Sequence, residues 1–592
     1  MKRFFLAVTA IAFVFSSCGC GKTDNSGVTP GGTTEEGIAV TGVSLEKNEL
    51  EMFVGETVKL AATIIPADAE DDILWWSSDD ESVATVGEET GLVTAVAPGL
   101  ANITVTTDDG DFTDVCEITV KEKTLPPANA PKAYGAVPTE GQVAWQRQEL
   151  LMFYHYGQAT FSGWDGENSS CNGQSWSESL LLRNYNPGTI DTDQWVKVAA
   201  ENDFKEVIIT AKHHDGFCLW DNPESTTDVA NANCSNHTDV IAGLREACNK
   251  YDVNLGIYLS PWDRMIEVSG VSTSVYETRF KNAAKDLMTK YAPVVEFWLD
   301  GNHAGNFNWT SVNNTILGIN PQCVIFSNGG PGCRWVGNEN GDAAETNWAT
   351  LNIKGRGLSP SNLPGSYESY LGGGDRGGDS WCPAECDFSI QQIGDRNGWF
   401  YGRNDSRKTA KQLMDLYYKS VGRNGVFLMN VPPSDQGIID SAEENIIKEF
   451  TQMRRSVFAT NLADGATVTS EDERGAGFEA GNILDPDYDR YFATPDGKTT
   501  TEFVVELSGT KRFNRVMLQE YIPLGQRVTG FTVEYRSGGS WRTWKSGTTI
   551  GHKRILLGDR VSTDAVRVKI TGSLACPVIN GFGLYNDTVT GL

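Results

Sequence analysis

The sequence predicts a multidomain chain, a (β/α)8-like barrel set between two β-sandwiches. Three observations carry this. At 592 residues the chain exceeds what one hydrophobic core serves. Between residues 141 and 455, short apolar strands such as EVIITAK, NLGIYL and VVEFWL alternate with amphipathic helical runs such as TDVIAGLREACNKYD, the texture of a parallel barrel. On either side, in 39–121 and 456–592, that helical period fades and short period-two runs are separated by turn residues.

The N-terminus reads as an address. Lys2 and Arg3 precede the apolar run FFLAVTAIAFVF, which is too short to span a bilayer and fits a signal-peptide core. Ser16-Ser17-Cys18 follows, a cysteine after small residues as at a bacterial lipoprotein cleavage site. Residues 1–18 are therefore expected to be a lipoprotein signal peptide, with Cys18 lipidated. The competing reading is an ordinary signal peptide with an incidental cysteine. Residues 19–38 are a polar Gly/Thr linker. The expected location is the bacterial cell envelope, lipid-anchored and facing the periplasm or the outer surface.

In residues 39–121, VSLEKNELEM, VKLAATI, ILWWSS, LVTAVAPG and NITVTT read as the strands of a small sandwich. The segment resembles the bacterial Ig-like group 2 domain, a spacer or adhesive module, and carries no catalytic constellation. Residues 122–140 are Pro/Ala-rich and read as a second, exposed linker. The barrel follows over 141–455, with polar and aromatic residues crowding the ends of its strands. In 456–592, FVVELSG, VTGFTVEYRS and AVRVKITG alternate as strands. This part resembles a discoidin-type, galactose-binding-like module. TQMRRSVFATNLADG runs into it from a helix without a linker, which predicts a packed interface with the barrel.

Charge excludes some partners. Lys and Arg total 49 against 77 Asp and Glu, a net charge of -28, so neither nucleic acid nor an anionic lipid surface is expected to bind. Contact with a membrane is expected only through the lipid anchor. Of the twelve cysteines, Cys382 and Cys386 in WCPAEC have metal-like spacing but no second pair, and they read as structural. An exported chain allows some disulfides. No cofactor or metal motif is found.

Two strand ends stand out, KHHDGF (Lys212–Phe217) and FWLDG (Phe297–Gly301). Packing alone explains poorly a carboxylate at the tip of a buried strand. Three of the six histidines, His155, His213 and His214, also lie at strand ends. They lack H-x-x-x-H or H-E-x-x-H spacing, so neutral imidazoles bonded to hydroxyls suit them better than metal ligation.

FYHYG, AKHHDGFCLW, GIYLSPWD, EFWLDG, RWVGNENGDAAETNW, WCPAECDFS and FLMNVPPSDQG, in that order, resemble the α-L-fucosidases of glycoside hydrolase family 29. ILDPDYDRYFATPDG and VMLQEYIPLGQRV resemble the companion domain of the subgroup that cleaves α-1,3/1,4-linked fucose. The resemblance implies a retaining hydrolase with two carboxyls about 5–5.5 Å apart, acting on a fucosylated oligosaccharide or glycoconjugate without a cofactor. It makes Asp300 the nucleophile. In the family an arginine precedes the acid/base; Arg334 precedes Glu345 by eleven positions, so Glu345 is the expected acid/base, with Glu339 and Glu385 as rivals. His155, Trp164, His213 and His214 are expected to bind fucose hydroxyls, and Phe153 and Trp298 to face its methyl group, although Trp298 also suits core packing. Many family members have a second Tyr where Leu259 stands, so the Tyr contact falls to Tyr258. Arg334 is expected to orient the acid/base or touch the sugar. Trp335, Trp381, Asp375 and Glu385 are expected to reach beyond the fucose toward a branched acceptor. The alternatives are a glycan-binding lipoprotein with an inactive barrel, and an α-L-galactosidase-like relative.

Overall fold

The computed structural model describes residues 38–121 (except 55, 70 and 72), 130–300, 307–327, 332–354 and 371–592 (except 395). The signal peptide, Cys18 and the first linker lie outside the described residues. The chain divides into two compact units at residues 123/124. The first is the small sandwich. Its four-stranded sheet runs in the order Glu49–Phe53, Thr113–Lys121, Gly99–Thr107, Leu74–Ser78, with a three-stranded sheet formed by Thr57–Lys59, Leu92–Ala95 and Ala84–Val86. The alternation read from the sequence puts Met52, Trp76, Val93, Ile103 and Ile118 inside.

The second unit holds the barrel and the C-terminal sandwich. Eight parallel strands close the barrel: β1 Leu150–Tyr154, β2 Glu206–Lys212, β3 Asn254–Leu259, β4 Glu296–Trp298, β5 Val324–Ser327, β6 Cys333–Trp335, β7 Ala384–Ser389 and β8 Gly425–Asn430. Their near-continuous apolar character follows from burial on both faces. Trp145, Leu151, Phe153, Ile208, Tyr258, Trp298, Phe326 and Leu428 belong to the smaller cluster inside the barrel. A larger cluster joins the outward faces of the strands to helices such as Thr192–Glu201, Val240–Tyr251 and Thr273–Lys290. Helix α1, Glu140–Gln148, starts with a Thr139/Gln142 capping box and precedes β1.

In the C-terminal sandwich two twenty-residue strands, Thr501–Glu520 and Arg554–Ser573, pair antiparallel along most of their length. Phe503, Phe531, Val568 and Phe582 fill its core. A polar seam ties it to the barrel. Asn347 N–H donates to Thr549 Oγ1 (3.0 Å), Asn424 N–H to the Lys553 carbonyl (2.9 Å), and Gln526 Nε2 to the Asn347 carbonyl (3.0 Å). Glu149, in the left-handed region at φ 61°, takes Lys553 and His552 at the same seam.

The second linker is only partly a linker. Residues 122–129 lie outside the described residues, but 130–139 run along the sandwich. There Tyr134 N–H donates to the Leu524 carbonyl (3.0 Å), and Arg527 Nη2 to the Lys132 carbonyl (2.7 Å). The ten cysteines among the described residues, Cys382 and Cys386 included, are buried free thiols.

Candidate active site

A pocket of about 190 Å³ opens at the C-terminal ends of the barrel strands. Phe153, His155, Asp165, Glu167, His213, His214, Trp298, Asp300, Phe326, Trp335, Glu339, Asp387 and Trp399 line it. Parallel strands deliver these groups to one rim, because each side chain just past a strand end faces the same opening.

Asp300 follows β4. Tyr258, at the end of β3, donates its hydroxyl to Asp300 Oδ2 at 3.0 Å, and His214 Nε2 lies 3.5 Å from the same oxygen. The histidines are fixed by their other nitrogens: His213 Nδ1 meets the Asp165 carbonyl at 2.9 Å, and His214 Nδ1 meets Ser260 Oγ at 2.6 Å. His155 Nδ1 meets Asn430 Oδ1 at 2.9 Å, while Asn430 Nδ2 donates to the Trp399 carbonyl at 2.8 Å. One asparagine at the end of β8 thus positions both a histidine and an aromatic wall. Burial, with His213 close by, holds His155 well below the usual imidazole range, so it is neutral at physiological pH. His213, His214 and Asp300 each offer one atom within 4.8 Å of the others, a spacing that a cation can use.

The two carboxyls facing the pocket from Asp300 and Glu339 sit in different surroundings. Asp300 is 37% exposed and has donors against it. Glu339 lies at the tip of the loop after β6, exposed to solvent on its outer side and lining the pocket on its inner side. Burial raises its carboxyl; the Trp399 indole, donating at 3.3 Å, opposes this, and the charges of Asp300 and Glu167 add to the rise. Asp387 is pushed further in the same direction by burial and by Glu339 and Glu385. A glutamate whose protonated form is favoured, across one pocket from an aspartate reached by the Tyr258 hydroxyl and His214, is an arrangement for acid/base chemistry with a nucleophile.

Three sequence expectations change. Glu345 does not face Asp300. Its side chain is 65% exposed and ion-pairs with Arg423 (2.5 Å) and Arg554 at the sandwich seam; burial would raise its carboxyl, but these arginines hold it low. The reason is local. Gly337 and Gly341 take positive φ (91° and 77°) and turn the loop so that Glu339 reaches the pocket mouth and Glu345 goes past the pocket. Arg334 is wholly buried and donates to the carbonyls of Leu371 and Cys382 and to Asn347 Oδ1, so it pins the loop without reaching the pocket. Glu385 is buried under the pocket, accepting from Trp298 Nε1 at 2.7 Å.

The acceptor-facing set also divides. Trp335 lines the pocket, whereas Trp381 donates to Gln146 Oε1 (2.9 Å) and packs on Ile522, and Asp375 accepts from the Asn352 N–H (2.8 Å). Trp164 packs its ring against the outer barrel cluster and presents its carbonyl to Gln158, while its neighbours Asp165 and Glu167 line the pocket. Trp399, Asp387 and Phe326 were not expected. The run NGWFYG was the available signal for Trp399, since three adjacent aromatics after a glycine form a flat polar-edged surface.

The family profile described as Alpha-L-fucosidase matches residues 136–454. Residues 39–118 match the bacterial Ig-like domain (group 2), and 465–581 the F5/8 type C domain. Alpha-L-fucosidase 1 of Arabidopsis thaliana is 35% identical over 470 residues, 77% of this chain and 88% of the plant protein. Putative alpha-L-fucosidase 1 of Oryza sativa subsp. japonica is 36% identical over 461 residues, 76% and 85% of the two chains. Among solved structures, a putative alpha-L-fucosidase from Bacteroides thetaiotaomicron superposes with a TM-score of 0.70 at 32% identity, over 78% of this chain and 100% of its own. A Ruminococcus gnavus family 29 fucosidase in complex with fucose gives 0.69 at 29% identity, over 78% and 98%.

Proposed function

Because this chain belongs to the α-L-fucosidase family, we propose that it is an exported retaining fucosidase that removes α-1,3/1,4-linked fucose from glycans. The observation that carries the reading is the pair Asp300 and Glu339 in one pocket, in contrasting surroundings. Asp300 forms an ester bond to the anomeric carbon as the glycosidic C–O bond breaks, and Glu339 gives its proton to the departing oxygen. Glu339 then takes a proton from water, the water oxygen bonds to the anomeric carbon, and Asp300 is released. His155, His213 and His214 suit the sugar hydroxyls. The ring faces of Phe153, Trp298 and Phe326 suit the C5 methyl better than a hydroxymethyl, which favours fucose over L-galactose.

NMR of the first-formed sugar tests the mechanism: α-fucose is expected, and initial β-fucose would refute retention. The linkage reading rests on the resemblance and on Trp335, Trp399 and Glu167 at the pocket mouth, where groups of a branched acceptor can be held in the transition state. Lewis-type trisaccharides should be cleaved faster than α-1,2-linked fucose and than 4-nitrophenyl fucoside; the reverse order overturns it. Export and lipidation rest on the N-terminal sequence, and loss of fatty-acid labelling in Cys18→Ala is the expected result.

A further inference from the structure

Beneath the pocket the barrel interior holds three glutamates at 0% exposure: Glu206, which begins β2, Glu296, which begins β4, and Glu385 on β7. Each has one oxygen on a nitrogen donor. Gln148 Nε2 donates to Glu206 Oε2 (2.9 Å), Trp145 Nε1 to Glu296 Oε2 (2.5 Å) and Trp298 Nε1 to Glu385 Oε2 (2.7 Å). The three converge: Glu296 and Glu385 each bring an oxygen within 4.8 Å of the other and of Cys333 Sγ, and the buried Glu206 Oε1 and Glu385 Oε1 have no hydrogen-bond partner unless a neighbouring carboxyl carries a proton. Gly256 on β3 makes the room, since a Cβ there would lie 2.7 Å from Glu206 Oε1.

Two ionised carboxylates have no proton with which to bond each other, so each carboxyl–carboxyl contact requires one. Three buried negative charges without a cation are also untenable. The ionisable groups around the set are Cys248 on the helix Val240–Tyr251, Cys333 on β6, 3.8 Å from Glu296 Oε1, Cys323 before β5, Cys382 before β7, Cys386 and Asp387 on β7, and Arg334 on β6, which is bonded to carbonyls and to Asn347. Among the described residues β8 supplies none.

Its upper end touches the chemistry. The Trp298 indole held by Glu385 stacks on Phe326 (3.4 Å between centroids, 5°) and on Tyr258 (5.6 Å, 25°), whose hydroxyl bonds Asp300. We propose that Glu206, Glu296 and Glu385 form a neutral, proton-sharing carboxyl chain, and that through it Glu385 acts as a positioning residue, holding Trp298, Tyr258 and hence Asp300 until the chain loses its protons in alkali. Burial moves Glu385 up to about 8; burial first, with the charge of Glu385 adding, moves Glu206 up to about 8, and burial with the charges of Glu385 and Glu206 moves Glu296 well above its usual value.

The activity arm rests on the fucosidase reading; a stability arm does not. Glu206 lies seven residues before His213, about 20 Å of strand. In Glu206→Gln the amide donates to Glu296 and one group that ionises in alkali is removed, so the remaining pair ionises more easily without its repulsion. The full-length variant should keep neutral-pH kcat/KM on a fucosylated glycan within about twofold, while its alkaline limb moves down by at least about half a pH unit. Because these carboxyls are raised in the fold, the stability they give is full below about pH 4 and fades as pH rises through about 8. The wild-type melting temperature should therefore decline over that range, and Glu206→Gln should flatten the decline. Glu385→Leu, which removes the Trp298 acceptor, should lower kcat at least tenfold, and Glu385→Gln should restore most of it at neutral pH. An unmoved alkaline limb, an unchanged stability slope, or one equivalent of tightly bound metal in the purified wild type would overturn the proposal. An inactive wild type with a flattened stability slope in Glu206→Gln would sink the fucosidase reading and leave the shared protons standing.

Discussion

Glu339 and Glu345 are both glutamates, six positions apart on one loop and both partly open to solvent, but they face neighbours of opposite charge. Glu339 sits in the pocket under Trp399, with burial and the nearby charge of Asp300 favouring its protonated form. Glu345 sits at the sandwich seam between two arginines that favour its ionised form. A proton donor suits the first setting and an interdomain tie the second, so on the proposed reading neighbours, and not residue type or spacing, separate the two glutamates.

The comparison breaks most visibly at the chemistry. Asp300→Asn should reduce kcat by several orders of magnitude, because an amide cannot form the ester intermediate. Activity near wild type would remove Asp300 from its role. Glu339→Gln should lower kcat on natural glycans on the order of 10²–10⁴-fold and spare a substrate with an activated aryl leaving group, which needs little protonation. Glu345→Gln should leave kcat on both within about twofold; a large loss there would reverse the two roles.

The seam gives smaller effects, read as stability. At Glu149 burial raises the carboxyl, but Lys553 and His552 outweigh it and pull the group down to about 2. Its contribution is therefore present above the unfolded carboxyl value near 4.3 and fades as pH falls through about 2. Glu149→Gln should cost up to about 3 kcal/mol at pH 7 and flatten the acid decline between about pH 4.5 and 2, measured by thermal unfolding. Glu345→Gln should cost only about 1 kcal/mol, since that glutamate is largely exposed. Smallest of all, deleting residues 1–123 should change kcat on a soluble substrate by less than about twofold, because the small sandwich forms its own compact unit and core. A loss of activity on that deletion would show that the sandwich shapes the pocket.

Much of this was legible in the chain. Barrel strands read as apolar runs because both faces are buried, and the sandwiches read as alternation because one face is wet. Asp300, His155, His213, His214 and Tyr258 were readable for a related reason: each stands at or beside the end of such a run, and a strand end fixes where a side chain goes within a residue or so. Glu339, Trp399 and Asp165 were not readable this way. They come from loops, whose path is set by glycine dihedrals and by what the loop packs against. Glu385 shows the limit differently, since its strand was evident but its depth was not. The sequence by itself determined the three domains, the barrel and the nucleophile candidate, because period and strand termini are local properties. Only the tertiary structure decided which glutamate enters the pocket, that Arg334 is a buried tie, and that three carboxyls meet inside the barrel. Those outcomes depend on contacts between residues tens to hundreds of positions apart, which no local pattern encodes.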